Sequence, residues 1–285
     1  MEILTLSAVD APAVVRAVEV LEHGGLVLLP HHPFPLLPEE QRLLDPALLK
    51  GEVKNISLDP ATGSVRGAKA TADVTPALAA MMARYAAFAA DLVEAVAPRY
   101  EPALQQRRTS FRPGPVNTRV LSPRKDDRRL HVDAFPSNPV QGRRILRVFT
   151  NVDPHRRPRV WALGDDGVAD LAEIFRPDYA APGRYVRLQE RLGLIKGRRT
   201  AYDRAMLQLH DRAKLDDEWQ AKAPRRRIDF PAGASWVVFT DGVSHAALEG
   251  QNAFEQTWLS PVEAMAEPER SPLKMLERAS GRALV

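Results

Sequence analysis

Leu130-His131-Val132-Asp133, followed within a dozen residues by Ile145-Leu-Arg-Val-Phe-Thr-Asn-Val152, is the stretch on which the reading of the fold turns. In an extended strand, side chains two positions apart point to the same face, so His131 and Asp133 would converge on one point. Ile145 to Val152 is rich in branched and aromatic residues and predicts a strand. Downstream, Val160–Leu163, Ser235–Thr240, Ser244–Leu248 and Ala253–Leu259 repeat that texture between Gly, Pro, Asp and Asn. Such spacing predicts a sheet-on-sheet β core, either sandwich or jelly roll. Between the strand groups, Thr200 to Ala221 reads as an inserted helix with Asp203 in its first turn.

Upstream the texture is mixed. Asp10 is placed to cap a helix that has Pro12 in its first turn and ends at Gly24-Gly25. Gly25 to Pro30 reads as a strand. A long helix is predicted from Thr75 and Pro76 to Pro98, with Leu78, Met82, Tyr85, Leu92 and Val96 on its apolar face. The expected class is α+β, as one domain over residues 1–285. Residues 1–100 form a mainly helical region packing on the core. Residues 101–260 form the β core, with the insert at about 200–221, and 261–285 form a polar tail.

There are no cysteines among the 285 residues, which excludes disulfides, iron–sulfur clusters, zinc ribbons and thiol nucleophiles. Any metal must therefore be held by His, Asp, Glu or backbone oxygen. His131 and Asp133 find a third candidate in His245, at the end of Asp241-Gly-Val-Ser-His245. Two imidazoles and one carboxylate on one face leave three adjacent octahedral positions open, the facial triad of non-haem Fe(II) oxygenases. Zn or Mn in an isomerase or hydrolase, or a plain His–Asp hydrogen bond, fits the same residues. A 2-oxoglutarate site also needs a cation for the distal carboxylate. Arg147 shares a strand face with Phe149 and Asn151, and Gln256 lies on the last strand. Arg147 is expected to supply the charge, with Asn151 beside it and Gln256 assisting.

The formal charge is +4, with arginine pairs at 107–108, 128–129, 143–144, 156–157 and 198–199 and a triplet at 225–227. This suits an anionic substrate or membrane surface. No helix-turn-helix, finger or aromatic RNA-binding signature accompanies them, so nucleic acid is not expected. The first ten residues lack a signal-peptide pattern. The apolar stretch 77–96 carries Arg84, Asp91 and Glu94 and does not read as membrane-spanning, so a cytoplasmic location is expected. The Ser-x-x-Lys matches at Ser122 and Ser271 lack the other elements of an acyl-enzyme. His210, beside Asp211 in the predicted insert, reads as structural.

The sequence resembles the 3-deoxy-D-manno-oct-2-ulosonic acid (Kdo) hydroxylases of Gram-negative bacteria. The resemblance lies in Lys54-Asn-Ile-Ser57, Arg108-Thr-Ser-Phe-Arg-Pro113, Asp126-Asp-Arg-Arg-Leu-His-Val-Asp-Ala-Phe-Pro-Ser137, Gly142 to Asn151 and Ser235 to His245. It implies a double-stranded β-helix (jelly-roll) core with flanking helices. It also implies Fe(II) on His131, Asp133 and His245, with 2-oxoglutarate and dioxygen as co-substrates. The implied reaction is hydroxylation of Kdo at C3, giving D-glycero-D-talo-oct-2-ulosonic acid in the inner core of lipopolysaccharide. The acceptor would be a Kdo-bearing lipid A precursor, met at the cytoplasmic face of the inner membrane by a peripheral protein. Thr109, Ser110 and Arg112 are expected on the substrate side. Two alternatives stand beside this: a non-catalytic metal-binding jelly-roll module, and a related oxygenase acting on another anionic substrate.

Overall fold

Strand β6 (Arg144–Asn151) is buried at every position, and its alternation organises the molecule. Leu146 and Val148 point to one apolar cluster and Phe149 to another, on the opposite face of the sheet. The structure, a computed structural model, describes residues 1–69, 71–116 and 121–285. Among these, β6 lies near the middle of an eight-stranded sheet. In chain order its other strands are β1 (Ile3–Thr5), β2 (Leu26–Leu29), β3 (Ile56–Leu58), β4 (Val65–Arg66), β5 (Gln105–Arg112), β9 (Ser235–Phe239) and β11 (Ala253–Ser260). The spatial order is β1-β2-β9-β6-β11-β5-β3-β4. A smaller sheet, ordered β10-β7-β8, contains β7 (Arg159–Gly164), β8 (Arg225–Phe230) and β10 (His245–Glu249). It faces the first as a double-stranded β-helix, with Phe149, Trp161, Phe230, Trp236 and Val238 packed between the two.

The N-terminal region does more than pack helices on this core. Its four strands extend both edges of the large sheet, β1 and β2 beyond β9, β3 and β4 beyond β5. Helix α1 (Ala11–Glu22) starts as expected, Asp10 accepting from the Ala13 amide at 2.9 Å. Helix α2 (Val74–Val96) covers the outer face of the large sheet. It is long and apolar enough to cross a membrane, but its apolar stripe (Leu78, Met81, Tyr85, Leu92) belongs to the core. The Tyr85 hydroxyl donates to the Val148 carbonyl at 3.2 Å.

The expected insert is larger than one helix. Between β7 and β8 run α3 (Val168–Phe175), α4 (Arg184–Arg191), α5 (Ala201–Leu215) and α6 (Asp217–Lys222). Thr200 and Asp203 form a capping box on α5, and Asp216 stops α5 and caps α6. The tail forms α7 (Pro272–Ser280), where Ser271 accepts from the Lys274 amide at 3.2 Å. That cap accounts for the second Ser-x-x-Lys match.

Candidate metal centre and its cavity

The two histidines meet by a backbone device. The His131 amide donates to the His245 carbonyl at 3.0 Å, and the His245 amide to the His131 carbonyl at 2.9 Å. Residues directly opposite in an antiparallel pair carry their side chains on the same face. Asp133, two positions on, is held by its amide to the Thr240 carbonyl at 2.9 Å. One ligand atom from each of His131, Asp133 and His245 lies within 4.8 Å of the others, and all three residues are buried or nearly so.

The hydrogen bonds select the tautomer. Nδ1 of His131 faces the Arg129 carbonyl and Nδ1 of His245 the Val243 carbonyl, each at 2.8 Å. A carbonyl only accepts, so both Nδ1 atoms donate and both Nε2 atoms keep a lone pair for a metal. Burial pushes the pKa of both imidazoles down and keeps them neutral. Burial would raise that of Asp133, but the Arg147 guanidinium outweighs it and holds the carboxyl below the usual carboxylate range. Arg147 Nη1 stands 3.0 Å from Asp133 Oδ2. Two neutral imidazoles and one ionised carboxylate fit a divalent first-row metal such as Fe(II).

The ligands open into a cavity lined by Arg112, Arg147, Phe149, Arg159, Trp161 and Glu255. Trp161 stacks on the His245 ring, with centroids 5.2 Å apart. The three arginines differ in their partners. Arg112 pairs with Asp127 at 3.1 Å and Glu255 at 3.3 Å. Arg147 pairs with Asp133 and, at 3.4 Å, with Glu255. Arg159 is only 3% exposed and forms no ion pair among the described residues. Its Nη1 donates to the Gly250 carbonyl at 3.1 Å. Burial, and then the charge of Arg112, disfavour its charged form. A buried cation without a counter-charge is the best-placed partner for an incoming carboxylate.

Other expected site residues fall elsewhere. Gln256 is buried but faces away from the cavity. On β11 it pairs with Val148, on the helix-facing side, and accepts from the Thr109 hydroxyl at 2.6 Å. Glu255 and Thr257, not Gln256, oppose Phe149 and Arg147. Thr109 shares Gln256's face and is therefore also turned from the site. The Asn151 side chain donates to the Phe230 and Arg157 carbonyls and fastens a strand end. Ser110 accepts from the Asn55 side chain at 3.1 Å. Ser110 lines an outer cleft with Arg107, Arg108, Phe135, Asn138 and Lys196, and Arg112, Arg147 and Glu255 line both spaces. His210 packs edge-on against His131, ring centroids 5.3 Å apart, with its Nδ1 3.1 Å from Asp211 Oδ1, and it belongs to neither the ligand group nor the cavity lining. Arg159 and Trp161 are what sequence reasoning missed. They sit two apart on β7, the same spacing that exposed His131 and Asp133.

Residues 8–283 match the family model described as 3-deoxy-D-manno-oct-2-ulosonic acid (Kdo) hydroxylase. The crystal structure of the Kdo hydroxylase KdoO, a non-haem Fe(II) α-ketoglutarate-dependent dioxygenase, in complex with cobalt(II) is 41% identical. The match covers 100% of this chain and 98% of that one, with a TM-score of 0.94. KdoO in complex with α-ketoglutarate and Fe(III) is 40% identical with the same coverage and TM-score. KdoO with succinate and Fe(III) gives 41% identity and 0.93, again over 100% and 98% of the two chains. No curated protein sequence matches the chain.

Proposed function

The chain belongs to the Kdo hydroxylase family, and we propose that it works as a 2-oxoglutarate-dependent dioxygenase on Kdo with Fe(II) held by His131, Asp133 and His245. The observation that carries this reading is the union of the three ligand side chains with a cavity that holds a buried arginine, Arg159, without an ion-pair partner among the described residues. When bound, Fe(II) supplies the redox chemistry that couples decarboxylation of 2-oxoglutarate, to succinate and carbon dioxide, with insertion of one oxygen atom into a C–H bond.

The chain's own residues do the rest. The Arg129 and Val243 carbonyls fix both imidazoles with Nε2 toward the metal. Arg147 keeps Asp133 ionised and oriented. Arg159 takes the distal carboxylate of 2-oxoglutarate, with Trp161 and Phe149 as the walls that exclude water. Arg112 and Arg147, tied together by Glu255, form the boundary between this inner chamber and the outer cleft. In the outer cleft Arg107, Arg108 and Lys196 suit the carboxylate of a Kdo sugar. Hydroxylation at C3 of Kdo in a lipid A precursor is the finer form of the reading. It brings the protein to the anionic cytoplasmic face of the inner membrane as a peripheral protein.

The test is a coupled assay with Fe(II), 2-oxoglutarate, dioxygen and Kdo-lipid A in detergent. Expected are succinate and a sugar fragment heavier by one oxygen. Succinate without any mass gain on the sugar would leave an oxygenase of another substrate.

A further inference from the structure

We propose that helix α4 and the turn after it form the surface that seats this protein on an anionic lipid bilayer, beside the mouth of the outer cleft. The proposal rests on the lipid-linked substrate reading and adds to it the residues that touch the membrane. Four of the eleven large hydrophobic residues exposed among the described residues fall within ten positions: Tyr185 (72%), Leu188 (50%), Leu192 (64%) and Leu194 (63%). Tyr185, Leu188 and Leu192 stand at i, i+3 and i+7, one stripe of a helix. Arg184, Arg187 and Arg191 repeat that spacing one residue earlier and make a parallel basic stripe. None of these three arginines forms an ion pair among the described residues. The helix does not hide its apolar stripe against the protein. Its inward side is Val186, Gln189 and Glu190, with Ile195 buried beyond, and Glu190 accepts from the Arg199 amide at 2.7 Å.

An apolar row flanked by unpaired arginines matches the boundary between acyl chains and anionic headgroups, where long basic side chains reach outward to phosphate. A second copy of this chain would instead bring like charges together. The position also fits delivery of a lipid-linked sugar. The Lys196 amide donates to the Ser137 carbonyl at 2.9 Å, and Arg199 bonds the Pro136 carbonyl. Phe135, Asn138 and Lys196 all line the outer cleft, so the lipid-seating surface runs into its rim.

The experiment uses the full chain and vesicles of phosphatidylglycerol with phosphatidylcholine, free of Kdo-lipid, compared by co-sedimentation with pure phosphatidylcholine. Wild type is expected to bind the anionic vesicles and to be released as salt rises. Tyr185→Ser/Leu188→Ser/Leu192→Ser and, separately, Arg184→Gln/Arg187→Gln/Arg191→Gln are each expected to weaken binding about tenfold or more, with melting temperature unchanged. Turnover of Kdo-lipid dispersed in detergent should stay at the wild-type rate in both variants, while turnover of Kdo-lipid embedded in vesicles falls in step with binding. Vesicle binding at wild-type strength in both variants would overturn the proposal, and so would wild-type turnover of detergent-dispersed Kdo-lipid with no vesicle binding. Binding that depends on α4 from a protein inactive on detergent-dispersed Kdo-lipid would support the docking surface and overturn the substrate reading alone.

Discussion

One strand carries both halves of this molecule. The side of β6 toward α2 bears Leu146 and Val148, packed among apolar neighbours, with its one buried charge, Arg144 at the strand's start, matched by Asp241 at 2.9 Å. The side toward the smaller sheet bears Arg147 and Phe149, in a chamber lined by three arginines, three carboxylates and two imidazoles, most of them buried or nearly so. The first face is held by burial of apolar area, for which shape and volume suffice. The second is polar and survives because almost every charge has a partner. Arg159 lacks one, and that marks where a ligand belongs. The two faces should therefore fail in different ways: the outer face by loss of stability, the inner face by loss of chemistry.

The sharpest way to break this contrast is at the metal ligands. His131→Ala, Asp133→Ala or His245→Ala should each bring turnover to background, with metal content falling from about one Fe(II) per chain, while the melting temperature moves little. If all three variants still convert 2-oxoglutarate to succinate near the wild-type rate, the triad lies elsewhere. Next is the unpaired cation. Arg159→Ala should raise the 2-oxoglutarate concentration needed for half-maximal rate by roughly 100-fold or more, since it removes the charged partner of a buried carboxylate. Arg159→Lys should recover part of that loss. Unchanged 2-oxoglutarate titration in Arg159→Ala would return the anchoring role to Arg147.

The outer face gives the complementary result. Leu146→Ala should cost about 2–5 kcal/mol of stability through a cavity in the core. Its rate per folded molecule should stay at wild type; denaturant melts beside steady-state assays test both halves. A change in kcat without loss of stability would mean the two faces of β6 are not independent. The smallest effect is expected at Gln256. Although it lies on a strand of the site, Gln256→Ala should shift 2-oxoglutarate affinity by no more than about twofold and stability by about 1–3 kcal/mol, since it strands the Thr109 hydroxyl.

Much of this was readable before any coordinates. The strand candidates at 145–152, 235–240 and 253–259 match β6, β9 and β11 to within a residue at each end. His131, Asp133 and His245 stand out because the His-x-Asp spacing falls in a β-rich stretch, a distal histidine precedes a closing strand, and no cysteine competes as a ligand. What remained hidden is what long-range pairing decides. Gln256 lies on the expected strand but turns to the helix-facing side, because parity on β11 is set by its register with β6, where Thr257 opposes Arg147. Arg159 sits in Arg156-Arg-Pro-Arg159, one arginine among several, and only its burial beneath the cavity separates it from its solvent-facing neighbours. The short strands β1, β3 and β4 at the two ends of the large sheet have two or three residues each, too few to show a period.

Strand β8 closes the smaller sheet with one side paired to β7 and, among the described residues, no strand on the other. Its first three residues are Arg225, Arg226 and Arg227, all exposed. An open strand edge is a template for another chain to add to, with colloidal association as the result. Here a second copy adding its own β8 in parallel would set the three arginines against three more, with Arg227 in each copy already paired to Asp229 and Glu249. This repulsion weakens beyond roughly 8 Å at physiological ionic strength and shortens further as salt is added. Concentrated salt, the condition that should lift the protein off an anionic bilayer, is thus also the condition in which its own sheet edge becomes least guarded against self-association.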